Sequence, residues 1–130
     1  MNELLKYVRE QATVLLADAA SFYPFGSVIT TQGALVPLAA WTGEDYPDVE
    51  ELIVLLEKAI AEKFRSHEIS AAAICLDINF RHTPTSELVD AMHIKELQGQ
   101  QAITNHYLLY RVKEKQVDIY EHFIYVAPAS

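Results

Sequence analysis

The second half of the chain is built almost entirely from strand-like segments, and this constrains the fold more than any other feature. Apolar and β-branched residues fill four runs, at Ile69–Arg81, Leu88–Leu97, Ile103–Lys113 and Gln116–Val126. The last two runs are joined by a tight, charged turn near Glu114. Because such short connections leave no room for a crossover helix, the sequence predicts an antiparallel meander.

The first half predicts two helices. Apolar residues recur at spacings of three and four after Asn2, which we expect to be the N-cap, and the helix must end before Pro24. Asp48, with Glu51 three residues later, predicts the start of the second helix. The expected buried stripe of that second helix is Val49, Leu52, Ile53, Leu56, Ile60 and Phe64.

A β-hairpin is predicted between the helices. Its strands, Phe25–Thr31 and Leu35–Trp41, flank a turn in which Gly33 can adopt a positive φ. Pro37 has no backbone N–H to donate, so we expect the second of these strands to lie at an edge of the sheet.

These elements predict a single α+β domain over residues 1–130, in the order α-β-β-α-β-β-β-β. We expect the two helices to cover one face of a largely antiparallel sheet of about six strands. The segments Ala71–Ile78 and Ile119–Val126 are apolar on nearly both faces, so the second face also needs a cover. Self-association as a homodimer would provide it.

The charge balance bears on the partners. The chain has 10 Lys and Arg against 18 Asp and Glu, a formal net charge of −8, which disfavours nucleic acids and anionic membrane surfaces as partners. One acidic run has two interpretations: its residues form a solvated loop and cap the second helix, or they dock a basic protein. The run consists of Glu44, Asp45, Asp48, Glu50 and Glu51.

The expected location is the cytoplasm. Charged residues interrupt the first 20 positions, so they do not form the apolar core of a signal peptide, and no apolar stretch is long enough for a membrane span. The single cysteine, Cys75, cannot form an internal disulfide, which fits a reducing compartment. Cys75 lies in an apolar run, so we expect a small core residue rather than a nucleophile.

Several segments resemble a family of small, uncharacterised bacterial proteins. They are Phe22–Gly26 (FYPFG), Ala71–Asp77, Asp90–Met92 and Tyr107–Val112, and the resemblance implies no known activity. The element order is also loosely similar to roadblock and profilin-like domains, which are dimerising regulatory modules. Those domains usually have three strands after the second helix, and roadblock proteins then add a helix, whereas four strands are predicted here.

The histidines are the residues that most suggest chemistry. If a turn at Gln98–Gln101 closes a simple hairpin, His93 and His106 face each other across the ladder at about 5 Å between Cβ atoms. The next hairpin could add Glu121 or His122, depending on its register, and a His-His-carboxylate set suits zinc or iron. The alternative is a group of ordinary, hydrogen-bonded strand histidines, because a one-residue slip places neighbours on opposite faces.

No catalytic residue and no cofactor motif is identified in the sequence. Asp77 and Asp90 could do acid–base chemistry if they are buried together, but a solvated or interfacial face is the simpler interpretation. The sequence therefore favours a non-enzymatic interaction or regulatory module that acts as a homodimer, for example an immunity-like protein against a basic toxin. The alternative function is a small metal-dependent enzyme or small-molecule-binding protein.

Overall fold

A computed structural model describes residues 2–99 and 103–127. The elements are α1 (Glu3–Ala19), β1 (Phe25–Thr30), β2 (Leu35–Leu38), α2 (Val49–Arg65), β3 (Ile69–Phe80), β4 (Val89–Leu97), β5 (Ile103–Lys113) and β6 (Gln116–Ala127). The six strands form one antiparallel sheet in the order β2-β1-β3-β4-β5-β6. The predicted α+β fold and its element order are confirmed.

Both helices begin at the predicted N-caps. The Asn2 side chain accepts a hydrogen bond from the Leu5 amide at 2.8 Å, and Asp48 accepts one from the Glu50 amide at 3.4 Å. Each cap oxygen satisfies a backbone donor that has no partner within its helix. Neither helix, nor any other in the described part of the chain, is long and apolar enough to cross a lipid bilayer.

The helices pack on opposite faces of the sheet, so the prediction that both cover one face is wrong. Ala73 and Cys75 of β3 contact the core beneath α1, whereas Ile74 and Leu76 contact the core beneath α2. Successive strand residues point to opposite faces, and β3 is apolar at both sets of positions. Because both faces of β3 must be covered, one helix lies on each; we call them the α1 face and the α2 face.

The two helices cover unequal parts of the sheet. Helix α1 contacts β1, β3, β4 and β6, but the main contacts of α2 are with β1 and β3. The α2 face of β4, β5 and β6 is occupied instead by stacked rings. We call this surface the aromatic face and define it as Phe80, His82, His93, Tyr107, Phe123 and Tyr125.

The sheet has one short edge and one long edge. At one end lies β2, with four residues and Pro37 in its middle, as predicted from the proline. At the other end lies β6, with twelve residues. The tight turn before β6 is confirmed, because Glu114 and Lys115 both have positive φ, at 52° and 65°.

A β-bulge interrupts the pairing of β5 with β6. Leu109 pairs with Glu121, but the next residue, Tyr110, pairs with Ile119, which leaves Tyr120 as an extra residue in β6. Every β6 residue after Tyr120 therefore faces the side opposite to the one that an uninterrupted hairpin would give it.

Candidate functional site

The predicted pairing of His93 with His106 is wrong by one residue. His93 pairs with Tyr107, and His106 pairs with Ile94, so the two histidines lie on opposite faces of the sheet. The predicted turn at Gln98–Gln101 lies partly outside the described residues, because Gln100 and Gln101 are among those omitted. A slip of one residue was enough to separate the imidazoles.

The bulge decides which of the other two candidates joins each histidine. Glu121 pairs with Leu109 and therefore lies on the α2 face, whereas His122 pairs with Leu108 on the α1 face. His122 is thus a diagonal neighbour of His106. Of the four predicted metal ligands, the structure brings together only His106 and His122, and the described residues contain no group of three side chains placed to hold a metal ion.

A continuous hydrogen-bonded chain runs from the start of α1 to β6. Asn2 donates from Nδ2 to Glu96 Oε2, Glu96 Oε1 lies 3.2 Å from His106 Nε2, and His106 Nδ1 lies 3.0 Å from His122 Nε2. Glu96 and His106 are buried, whereas His122 is exposed. The chain therefore connects a buried carboxylate to an imidazole at the surface, and we call it the Glu96–His106–His122 chain.

The tautomers of this chain follow from its chemistry. An ionised carboxylate only accepts, so Glu96 accepts the Nε2–H of His106, whose Nδ1 lone pair then accepts the Nε2–H of His122. The lone pair of neutral His122 is consequently on Nδ1, at the outer end of the chain. When a proton binds at His122 Nδ1, the proton on His122 Nε2 can move to His106 Nδ1. The imidazolium is then His106, which lies beside the Glu96 carboxylate.

Helix α1 contributes a cation and a groove beside His122. Burial, the nearby His106 and the charge of Arg9 together lower the pKa of His122 below its usual value. Arg9 also lines a groove of about 440 Å³ between α1 and β6, whose other walls are Glu10, Thr13, Val14, Val117 and Ile119. This groove and the Glu96–His106–His122 chain therefore share Arg9 as a neighbour.

The aromatic face holds His93 in a different environment. His93 Nε2 lies 2.9 Å from Asn105 Oδ1, and the imidazole stacks on Tyr107 with 4.4 Å between ring centroids. Burial lowers the pKa of His93, against the opposing effect of the Asn105 hydrogen bond. This histidine is neutral, stacked and hydrogen-bonded, as in the alternative interpretation of the histidines.

The β3–β4 connection closes over part of the aromatic face. Phe80 stacks on Tyr107 with 4.7 Å between centroids, and His82 stacks on Phe123 at 4.1 Å. His82 Nδ1 also lies 3.2 Å from the Tyr125 hydroxyl. The connection thus covers some of the apolar surface that the sequence predicted to need a cover.

Two other sequence candidates have structural partners. Cys75 is buried, and burial raises the pKa of its thiol, which confirms the expected core residue. Asp77 accepts a hydrogen bond from the Tyr110 hydroxyl at 2.6 Å, and burial raises the pKa of its carboxyl group. Asp90 pairs with Asn79 at an exposed position, so the two carboxylates are not buried together.

An acidic and aromatic surface lies beyond the short edge of the sheet. Trp41 and Tyr46 are 81% and 87% exposed, and Trp41 lines a groove of about 590 Å³ with Val54 and Leu55 of α2. Asp48, Glu50 and Glu51 also line the groove, and Glu44 and Asp45 precede them in the connection to α2. We call this surface the acidic patch and define it as these five carboxylates with Trp41 and Tyr46.

The sequence pointed to His106 and His122 but missed Glu96 and Arg9. Glu96 alternates with Ile94 and Met92 along β4, so it occupies a core-facing position in an apolar run, and that periodicity was the available signal. Arg9 carries no comparable signal, because a helix cation beside apolar neighbours is ordinary. Comparisons with protein-family models, curated proteins and solved structures gave no match.

Proposed function

We propose that the protein is a non-enzymatic interaction module of the cytoplasm, and that it acts as a homodimer in which β6 pairs with β6 of a second copy. The observation that carries this proposal is the long, apolar and exposed edge that β6 presents. Ile124, Tyr125 and Val126 are 56%, 45% and 67% exposed, and they lie next to one another on the edge strand.

An edge strand of this kind is a template for pairing. Its outward backbone N–H and C=O groups have no partner in the sheet, and soluble proteins usually protect such edges with proline, lysine or a short strand. β6 runs for twelve residues and contains neither proline nor lysine. Its acidic residues, Asp118 and Glu121, leave the C-terminal half uncharged.

That half is also self-complementary. Antiparallel pairing about Ile124 sets Ile124 against its own copy and Phe123 against Tyr125 of the partner subunit. Because Phe123 and Tyr125 both belong to the aromatic face, the pairing extends the stacked rings from one copy to the next. The dimer would have one continuous sheet, with both short β2 edges at its ends.

The oligomeric state tests the proposal. We expect a dimer by size-exclusion chromatography with light scattering, and a monomer for Ile124→Lys, because a lysine on the edge opposes strand addition. Val36→Lys is the matched control, since Val36 is 41% exposed on the other edge strand, and it should remain dimeric. A monomeric wild type, or equal behaviour of the two variants, would contradict β6 pairing.

A disulfide supplies a positive test. Directly opposite residues of antiparallel strands have Cα atoms about 4.5–5.5 Å apart, which is within reach of a disulfide. Ile124→Cys should therefore cross-link two copies on mild oxidation, and Val36→Cys should not. The native Cys75 does not interfere, because it is buried.

A second binding surface is proposed for a basic protein partner, at the acidic patch. Large exposed aromatic side chains next to carboxylates suit a cationic surface, since aromatic anchors dominate many interfaces and opposite charges steer association. The patch lies at the β2 end, so dimerisation through β6 leaves one patch free on each copy. An immunity-like protein is one function that fits this arrangement.

The single tryptophan makes the acidic patch testable. Trp41 is the only tryptophan and is exposed, so its fluorescence should change when polylysine binds at the patch. Neutralising Glu44, Asp45, Glu50 and Glu51 should abolish this change, whereas neutralising Glu57, Glu62, Glu87 and Asp118 removes equal charge elsewhere and should leave most of it. Equal losses in the two variants would show that only net charge matters.

A further inference from the structure

We propose that Arg9 and His122 bind a small organic carboxylate, which is taken up together with a proton accepted by the Glu96–His106–His122 chain. The site lies within one chain, between α1 and β6, and it goes beyond the interaction function proposed above. It requires no second copy, so the two proposals can fail separately.

The groove defines the class of ligand. Its apolar walls are Val14, Val117 and Ile119, and its cation is Arg9, whose guanidinium group matches a carboxylate with two parallel hydrogen bonds. Val14 is 62% exposed although it belongs to the groove, so a bound apolar body would remove it from water. These features select an acid with a short hydrocarbon chain over a bare inorganic anion.

The hydrogen-bonded chain accepts the proton that is taken up with the ligand. In the free protein burial, and then the nearby His106 and Arg9, disfavour a charge on His122 and lower its pKa. A carboxylate bound at Arg9 offsets the positive charge there, and the groove wall Ile119 lies on the same face of β6 as His122, so the bound carboxylate favours protonation of His122. The proton comes from solvent, and the positive charge is shared with His106, which Glu96 stabilises from the buried end.

The charged groups of the groove and of the hydrogen-bonded chain enter this balance. Arg9 and Glu10 come from α1, His106 comes from β5, and Glu96 from β4 lies behind His106. Glu10 is the one group at the groove that opposes an anion. Removing its charge should therefore strengthen binding, which provides a gain-of-function variant for the test.

The experiment is calorimetric titration with sodium hexanoate in two buffers of different ionisation enthalpy. The difference between the two heats gives the number of protons taken up on binding. We expect saturable binding with net proton uptake and a higher affinity as the pH falls toward the pKa of His122. Hexanamide has the same chain without the charge, and it should not bind measurably.

Four variants assign the parts of the site. Arg9→Gln should abolish hexanoate binding, and Glu10→Gln should strengthen it. His122→Gln should retain weakened binding without proton uptake, and Glu96→Gln should lower the proton uptake because the imidazolium loses its counter-charge. Circular dichroism establishes that each variant is folded, so a loss of binding is not confused with a loss of structure.

The controls use the same residue types elsewhere. Arg65→Gln changes an exposed arginine at the end of α2, and His67→Asn changes an exposed histidine whose positive φ asparagine tolerates. Both should bind like the wild type. The proposal is overturned if the wild type does not bind hexanoate, if hexanamide binds equally well, if Arg9→Gln binds like Arg65→Gln, or if His122→Gln takes up as many protons as His67→Asn.

Discussion

The two edges of the sheet are built in opposite ways. β2 is four residues long, carries Pro37 and continues into the loop before α2, so it offers little backbone for another strand. β6 is three times as long, has no proline, and exposes Ile124, Tyr125 and Val126. One edge of this sheet therefore offers little backbone to another strand, whereas the other offers a long, exposed strand.

Charged residues are also distributed unequally between the β2 edge and the β6 edge. The five carboxylates of the acidic patch lie beyond β2, and no lysine or arginine occurs between Thr42 and Glu57. The turn between β5 and β6 is instead basic, with Lys113 and Lys115 beside Glu114. Much of the net charge of −8 is therefore remote from β6, so repulsion between two copies is weak where their strands would meet.

The largest effect on this comparison should come from Gly26→Ala in β1, the strand that holds β2 onto the sheet. A Cβ at Gly26 would lie 2.9 Å from the Ala73 carbonyl oxygen of β3, closer than real contacts allow. Strands β1 and β3 would have to separate, and we expect the free energy of unfolding to fall by about 2 kcal/mol. Urea denaturation measures it, with exposed Ser70→Ala as the control, and an unchanged midpoint would contradict this close approach.

A smaller effect should follow from Ser27→Ala, which loosens the β2 edge alone. Ser27 is fully buried, and its hydroxyl donates to the Val36 carbonyl at 3.0 Å. Losing this bond should cost about 1 kcal/mol. Hydrogen exchange should show faster exchange of the β2 amides with no change in β6. Equal acceleration in both strands would mean that the edges are not independent.

Acid should weaken the β6 side of the sheet through His93. Its pKa is lowered in the folded protein, so the unfolded chain binds a proton more readily. The contribution of neutral His93 to stability is complete above the unfolded pKa of about 6.5 and is lost as the pH falls through that value toward the folded pKa. We therefore measure the difference between the urea midpoints above and below this pH range. This difference should be smaller in His93→Gln than in the wild type, whereas His67→Asn should keep the wild-type difference.

The smallest change in stability should come from Pro37→Val, which opens the β2 edge. Valine restores a backbone N–H and raises strand propensity, so the free energy of unfolding should change by less than about 1 kcal/mol. Self-association should increase, because β2 would now offer a donor to another strand. Light scattering against concentration measures it, and behaviour identical to wild type would show that the shortness of β2 alone protects this edge.

Local sequence signals predicted much of the fold. Asn2 and Asp48 were found as N-caps, Pro37 marked the edge strand, and the strand boundaries mostly lie within one residue of those predicted. These features depend on neighbours in the chain. Trp41 was the exception, since β2 ends at Leu38, before the predicted boundary.

Relations between distant elements were not predictable in the same way. The apolar pattern of β3 showed that both faces need a cover, but it did not show that α1 and α2 divide them. The pairing of His93 depended on the exact length of the β4–β5 connection, and composition does not fix that length to one residue. The site at His106 also needs Asn2 at the N-cap of α1, Arg9 from α1 and Glu96 from β4, which come together only in the folded chain.

The extra residue in β6 has an evolutionary consequence. The bulge absorbs Tyr120, so the positions that follow it keep their faces; an inserted or deleted codon that the ladder does not absorb in this way would exchange the contents of two surfaces at once. Without the bulge, but with Tyr120 retained in the ladder, His122 and Ile124 would join the rings, and Phe123 would be presented beneath α1. A Tyr120 deletion should instead leave Leu109 opposite Glu121 and Leu108 opposite His122, so NMR should show that the contacts between the rings of His106 and His122 are retained. Both the proposed carboxylate site and the proposed strand-pairing surface therefore depend on a bulge that belongs to neither.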